Sequence, residues 1–406
     1  MTKVKKWYSG NREMYRLLCI MVIWLIFMAF TQSKKFYTGA NFLTMAGQFP
    51  EYGMMVIGGM LCMMTGGIDL SVVGAANAAS ILCALLAIRM YGADGSMGVG
   101  GFILFFVVAA AVGIVTGLAN GLLVAKVKVP PILATLGINE LLTGLCIVLT
   151  GGAAISSFPK EFCEAFSKNI GGFLPARVLV FVIAAIIIWF MLERTTYGTK
   201  LRLFGTSAHV AEFSGMNTTA LILKTYITSG ICAAVGGLLM LSSYASARAD
   251  YGSDYTMKAI LIMVLGGVSP NGGKGRMSGV ITALVLLKLI ESGIRRFRSV
   301  SDYYVTLIWG AVLLLALVLD YMGNKPKKVR AKAYAGIMKK ALHMAADCAA
   351  YAGLLISHIQ SSIMLCSAAF PAVTSPLRLV SQVLHPVKTS GLHHIFTINR
   401  PPVFLH

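Results

Sequence analysis

The chain has 406 residues, of which 57% are hydrophobic and only 12% charged, and a formal net charge of +20. Soluble domains carry about 25% charged residues, so water alone cannot solvate this surface and lipid must cover much of it. The surplus Lys and Arg sit in short clusters between apolar runs. That is the layout of cytoplasmic loops in membrane proteins, and it argues against a nucleic-acid partner.

Residues 1–16 form a basic start, with Lys3, Lys5, Lys6, Arg12 and Arg16 and no small-residue cleavage site after them. They read as a cytoplasmic N-terminus rather than a cleaved signal. Ten apolar segments follow, near 17–31, 44–64, 71–90, 98–125, 131–150, 177–192, 221–243, 256–268, 277–294 and 303–320. A bilayer takes about 20 apolar residues per helical crossing. The expected fold is therefore all-α, a polytopic membrane bundle of about ten transmembrane segments over 17–320. The third and eighth segments are Gly- and Ala-rich or short, which suggests broken or re-entrant helices. Ten crossings leave both termini in the cytoplasm of an inner (plasma) membrane protein. They also place the clusters at Lys126, Arg194–Arg202, Lys274 and Lys325–Lys332 inside. Arg295, Arg296 and Arg298 are the exception, falling outside.

Beyond residue 320 the composition changes. The tail, 321–406, is first basic and then atypical, with six of the seven histidines and no acid after Asp347. It reads as disordered or as a misread terminus, with one possible span at 349–370. The eight cysteines include no CxxC pair, and no His or Cys spacing fits a metal site.

Two paired glycines suggest hinges. Gly66-Gly67 ends one apolar run and leads to Asp69. Gly266-Gly267 ends another and leads to Ser269-Pro270. Transporters often contain internal repeats with broken helices near the site. Asp69 stands at membrane depth, where an ionisable group costs at least about 2.5 kcal/mol. Asp69 and Ser71 either cap the next helix or face the solute. Asn77, Asn139 and Glu140, inside apolar segments, either line the pathway or glue helices together. Asn120 reads as glue.

No catalytic residue, cofactor site or nucleotide loop is evident. Gly273-Lys274 fails as a phosphate loop because Val268 stands at the first Gly position and Gly275 at the Ser/Thr position. The chain is not read as an enzyme, and any use of ATP requires another subunit.

The run Gly66-Gly67-Ile68-Asp69-Leu70-Ser71 resembles a signature of the permeases of ABC-type monosaccharide importers for ribose, xylose and galactose. Here Val72-Val73-Gly74 carries one Val more than that pattern. The stretches 124–137 (VAKVKVPPILATLG), 265–276 (LGGVSPNGGKGR) and 303–320 resemble the same family, so the resemblance covers roughly residues 12–325. The loop 193–220 matches the family's coupling segment, which docks on the ATPase. Its expected short helix spans 208–213, with Ser207 as N-cap and Gly215 as stop. Thr206-Ser207 stands where the family has Gly-Asn, and Val210 replaces one Ala. Gly205, Ser207, Ala211, Glu212, Ser214 and Gly215 keep the frame.

The resemblance implies an ATP-binding subunit, an extracytoplasmic sugar-binding protein and a second, like or unlike, permease subunit as partners. The alternatives are an ABC permease for a nucleoside or another small polar solute, and an ion-coupled secondary carrier. A further alternative is a scaffold or receptor that transports nothing.

Overall fold

The computed structural model describes residues 12–92, 97–156, 159–170, 174–297, 307–314 and 318. The basic tail, the possible span at 349–370 and most of the tenth apolar segment lie outside these residues.

The described chain is helical but for one two-residue hairpin. In order come α1 (Arg12–Phe36), α2 (Gly39–Met64), α3 (Val72–Tyr91), α4 (Val99–Ala125), α5 (Pro131–Thr150) and α6 (Lys160–Ser167). Then follow β1 (Asn169–Ile170), antiparallel to β2 (Leu174–Pro175), and α7 (Ala176–Arg194). The order closes with α8 (Thr196–Thr206), α9 (Ala208–Phe213), α10 (Thr218–Tyr244), α11 (Tyr255–Leu265) and α12 (Met277–Ile294).

Seven described helices are long and apolar enough to cross a bilayer: α1, α3, α4, α5, α7, α10 and α12. Of the three expected crossings outside this set, the tenth lies mostly beyond the described residues, and the loss of the other two has physical causes. α2 has 26 residues, but Gln48, Pro50 and Glu51 interrupt its apolar character. α11 has only 11 residues, too short to span about 30 Å, in keeping with the weakness of the eighth segment. The third segment, by contrast, is the unbroken 20-residue helix α3.

α10 lies at the centre, packed on α4, α2 and α3. Gly113 and Gly117 of α4 face Gly230 and the Tyr226 carbonyl of α10 so closely that a Cβ at any of the three glycines would overlap backbone. Small residues four apart are how membrane helices bring their backbones together, since lipid supplies no hydrophobic drive between them. The outward faces of α1, α4, α5 and α7 carry exposed Ile23, Phe30, Val115, Val148, Ile186 and Phe190. This apolar exterior is the reverse of a water-soluble surface and suits hydrocarbon.

Two ends of the bundle are distinguished by what gathers there. Met64, Gly205 and Gly273 meet at one end. Glu51, Tyr255 and Glu291 gather with their neighbours at the other, about 20 Å along α2 from Met64 at 1.5 Å per residue.

Candidate functional site

The helix break between α2 and α3 begins at Gly66, whose φ is +84°. Gly66 N–H bonds to Met63 O at 3.0 Å, and Gly67 N–H to Cys62 O at 3.2 Å. The end of α11 repeats this turn. Gly267 has φ +83°, its N–H bonds to Val264 O at 3.0 Å, and Val268 N–H bonds to Met263 O at 3.0 Å. Both are glycine C-terminal turns in which the residue after the left-handed one reaches back five positions. The two expected hinges therefore correspond with a shift of one: Gly66 matches Gly267, and Thr65 matches Gly266.

Asp69 follows the first turn and is buried. Its Oδ1 accepts hydrogen bonds from Ser71 N–H at 3.0 Å and Ser71 Oγ at 2.7 Å. Its Oδ2 accepts one from Ser229 Oγ on α10 at 2.7 Å. Ser71 Oγ in turn accepts from Asn120 Nδ2 on α4 at 2.7 Å. One carboxylate thus holds Ser71, the residue before α3, and ties it to α10 directly and to α4 through Ser71 Oγ. Ser229 was not visible as a partner in the sequence, because Ser in an apolar run signals nothing about what it faces.

Asn139, on α5, accepts from Gly74 N–H at 3.0 Å through Oδ1. Gly74 N–H lies in the first turn of α3, where the helix itself offers no acceptor. Asn139 is therefore a cap supplied by another helix. Asn77 lies apart from this cluster. Its Nδ2 donates to Ala249 O at 2.8 Å and Tyr251 O at 3.0 Å, holding the loop between α10 and α11. Glu140 is exposed on the outer side of α5.

The loop between α7 and α10 folds as its pattern suggests. α9 runs from Ala208 to Phe213, and the Ser207 side chain accepts from Val210 N–H. Gly215 takes a φ of +72° just beyond it. Ala211 is buried, whereas Val210, Glu212, Phe213 and Ser214 are exposed. Tyr197 on α8 shares a 2.8 Å hydrogen bond with Thr225 on α10, and burial raises its phenol above the ordinary range. α8 is thus fastened to the central helix.

The end of α8 touches both glycine turns. Gly205 backs onto the Met64 carbonyl and Gly273. Gly273 N–H bonds to Met64 O at 2.9 Å, and Gly272 has φ +83° and packs on Gly66 and Gly205. The structure therefore unites the Gly66 motif, the 266–276 loop and the segment that carries α9.

Residues 41–317 match the family described as branched-chain amino acid transport system / permease component. The chain belongs to this permease family. Ribose import permease protein RbsC of Escherichia coli (strain K12) is 30% identical to the permease over 322 residues, covering 78% of this chain and 95% of the relative. Galactose/methyl galactoside import permease protein MglC of Haemophilus influenzae is 28% identical over 338 residues, 81% of this chain and all of the relative. D-allose transport system permease protein AlsC of Escherichia coli (strain K12) is 26% identical over 313 residues, 77% of this chain and 93% of the relative. No solved structure matches the permease.

Proposed function

We propose that the permease is the membrane-spanning subunit of an ATP-driven importer, and that its cargo is a monosaccharide delivered by an extracytoplasmic binding protein. The observation that carries this reading is the three-way junction of Gly205, Met64 and Gly273. A surface helix that only linked two spans would have no reason to abut both hinge loops. Here a displacement of α9 is transmitted through α8 to the breaks that end α2 and α11. Phe213, 93% exposed at the end of α9, offers an aromatic anchor of the kind that fills a pocket on a protein partner. That partner is the ATP-binding subunit, and the α9 end is the cytoplasmic one. The import permeases for ribose, galactose and allose among the relatives support a sugar as cargo.

Glu140 supports pairing with a second permease subunit. A carboxylate on the outer face of a membrane span costs about 2.5–3.5 kcal/mol if it faces hydrocarbon. A pathway between two subunits relieves that cost. Gly137 and Gly144, on the same helix, have nothing within 4 Å of a would-be Cβ, leaving room for a neighbour. Asp69, Ser71 and Asn139 then act as the lock that holds α3 against this pathway.

Two measurements test the proposal together: co-purification of the ATPase, and uptake of labelled ribose, galactose and allose by the assembled importer. Deleting residues 208–214 should release the ATPase and abolish uptake while the permease still inserts. Retention of the ATPase by the deletion would refute the coupling role. Uptake of a branched-chain amino acid and of no sugar would refute the cargo.

A further inference from the structure

At the α9 end of the bundle a cavity of about 410 Å³ opens between the start of α1, the α7–α8 pair and the loop that leads into α12. The volume falls within the roughly 300–1,000 Å³ of small-molecule sites. Its walls hold three cations, Arg202, Lys274 and Arg276, against one acid, Glu193. The cations come from two elements. Arg202 belongs to α8, whereas Lys274 and Arg276 follow the glycines 272 and 273, both at positive φ.

Glu193 is already committed, because it forms an ion pair with Arg202. Lys274 is exposed, and no described acid forms an ion pair with it. The cavity therefore carries a surplus of positive charge that the protein's own described carboxylates leave uncompensated. Backbone donors add to it. α12 starts behind Arg276, whose side chain makes no capping hydrogen bond. Amides in a first turn have no acceptor within their helix, and the positive end of the helix favours an anion. Gly273, Gly275 and Gly279 line the same wall, so main chain meets the space with no side chain in between. Gly275 stands where a nucleotide-binding loop carries Ser or Thr. The loop is thus not built for a triphosphate and its metal.

We propose that this cavity binds one phosphate ester, held by Lys274, Arg276 and the first amides of α12. Phosphate oxygens accept charge-assisted hydrogen bonds from ammonium, guanidinium and amide groups alike, and the phosphate charge offsets the surplus in the cavity. Two sources carry this chemistry, the headgroup of an anionic phospholipid and a soluble phosphate ester. Position favours the lipid. Met14, at the start of α1, gives the cavity an apolar edge, and farther along α1 the exposed Ile23 and Phe30 face outward, a surface for acyl chains. Basic pockets between membrane helices on the cytoplasmic side are where acidic headgroups bind. That last argument rests on the α9 end being cytoplasmic, whereas the phosphate site itself depends on neither the orientation nor the cargo. The site adjoins the three-way junction, since Gly273 belongs to both.

The purified full chain in detergent tests this, with native mass spectrometry for phosphatidylglycerol and phosphatidylethanolamine of the same acyl chains, and calorimetry for glycerol 3-phosphate. The parent should retain one phosphatidylglycerol about tenfold or more tightly than the zwitterionic lipid, as a charged hydrogen bond gained or lost implies. Lys274→Gln with Arg276→Gln should remove that preference. Ser278→Glu places a carboxylate in the cavity at a first-turn position where an acid suits the helix, so it should abolish binding without disturbing the fold. Lys126→Gln with Lys128→Gln, outside the cavity lining, should leave binding unchanged. Selective phosphatidylglycerol retention without glycerol 3-phosphate binding assigns the site to lipid. Glycerol 3-phosphate binding that Ser278→Glu abolishes, with no lipid preference, assigns it to a soluble ester. Equal binding of both probes by the parent and Ser278→Glu overturns the proposal. So does a loss that the Lys126 and Lys128 variant reproduces, or no binding of either probe.

Discussion

Gly205 and Met64 are in backbone contact across 141 residues of sequence, with no space for a side chain at Gly205 between the Met64 carbonyl and Gly273 N–H. A methyl there must push the end of α8 away from both glycine turns, because backbone cannot yield as a flexible side chain can. Gly205→Ala should therefore leave insertion and ATPase binding intact and lower ATP-driven uptake about tenfold or more. Uptake in proteoliposomes, alongside co-purification, separates the two effects. Normal uptake by Gly205→Ala would remove the junction as the transmission point.

Asp69 accepts from Ser71 N–H and Oγ, just before α3, and from Ser229 Oγ on α10. Asp69→Ala leaves Ser71 N–H, Ser71 Oγ and Ser229 Oγ without that acceptor. Each such loss costs about 1–3 kcal/mol in a protein interior, and less where donors find substitutes within the bilayer. The variant should lose about 2 kcal/mol or more, seen as a lower midpoint of thermal unfolding in detergent. Asp69→Asn, which keeps two acceptor lone pairs at one oxygen, should lose about half as much. A pathway residue without a structural role would show unchanged unfolding and altered uptake only.

The sequence marked the α9 end well and the opposite end poorly, and the reason is chemical. Glycine pairs, an acid beside them and a polar loop with Ser207 and Gly215 at its edges are local signals, readable from neighbours along the chain. α9 and the two glycine turns fall where those signals stand, whereas α8 is a helix within a segment that reads as loop. Ten crossings follow from counting apolar length, whereas Glu51 in α2 and the brevity of α11 remove two of the nine segments that the described residues cover, leaving seven clear spans. The opposite end draws Glu51, Tyr255 and Glu291 from positions separated by 36 to 240 residues. No spacing rule connects them. The Arg295–Arg296 cluster, an exception to the charge rule, is explained by what it meets. Arg295 pairs with Glu291, and Arg296 donates to Asn41 Oδ1 at 2.6 Å.

Glu291 holds three cations around one buried carboxylate. Removing the acid leaves Lys288, itself buried, beside Lys258 and Arg295 with no counter-charge. Breaking a buried pair on one side costs about 3–5 kcal/mol, because the remaining charge stays desolvated. Glu291→Gln should destabilise the permease by about 3 kcal/mol. The double variant Glu291→Gln with Lys288→Met should recover more than half of that loss. Unfolding midpoints of the two variants against the parent decide the matter, and equal loss in both would show that Lys288 does not depend on Glu291.

Glu140 and Leu141 are adjacent on the outer side of α5, and both are exposed in the single subunit. A helix turns about 100° per residue, so the two point to different surroundings once a partner is in place. If Glu140 faces an aqueous path between subunits, a thiol placed there ionises and reacts, whereas one facing hydrocarbon does not. In a cysteine-free background, Glu140→Cys should be modified by a charged, membrane-impermeant thiol reagent in the assembled importer. Leu141→Cys should stay unmodified under the same conditions. Adding substrate-loaded binding protein and ATP should change the rate at Glu140→Cys, because the path opens and closes during the cycle. Equal protection at both positions would place Glu140 against protein or lipid and remove this face of α5 from the pathway.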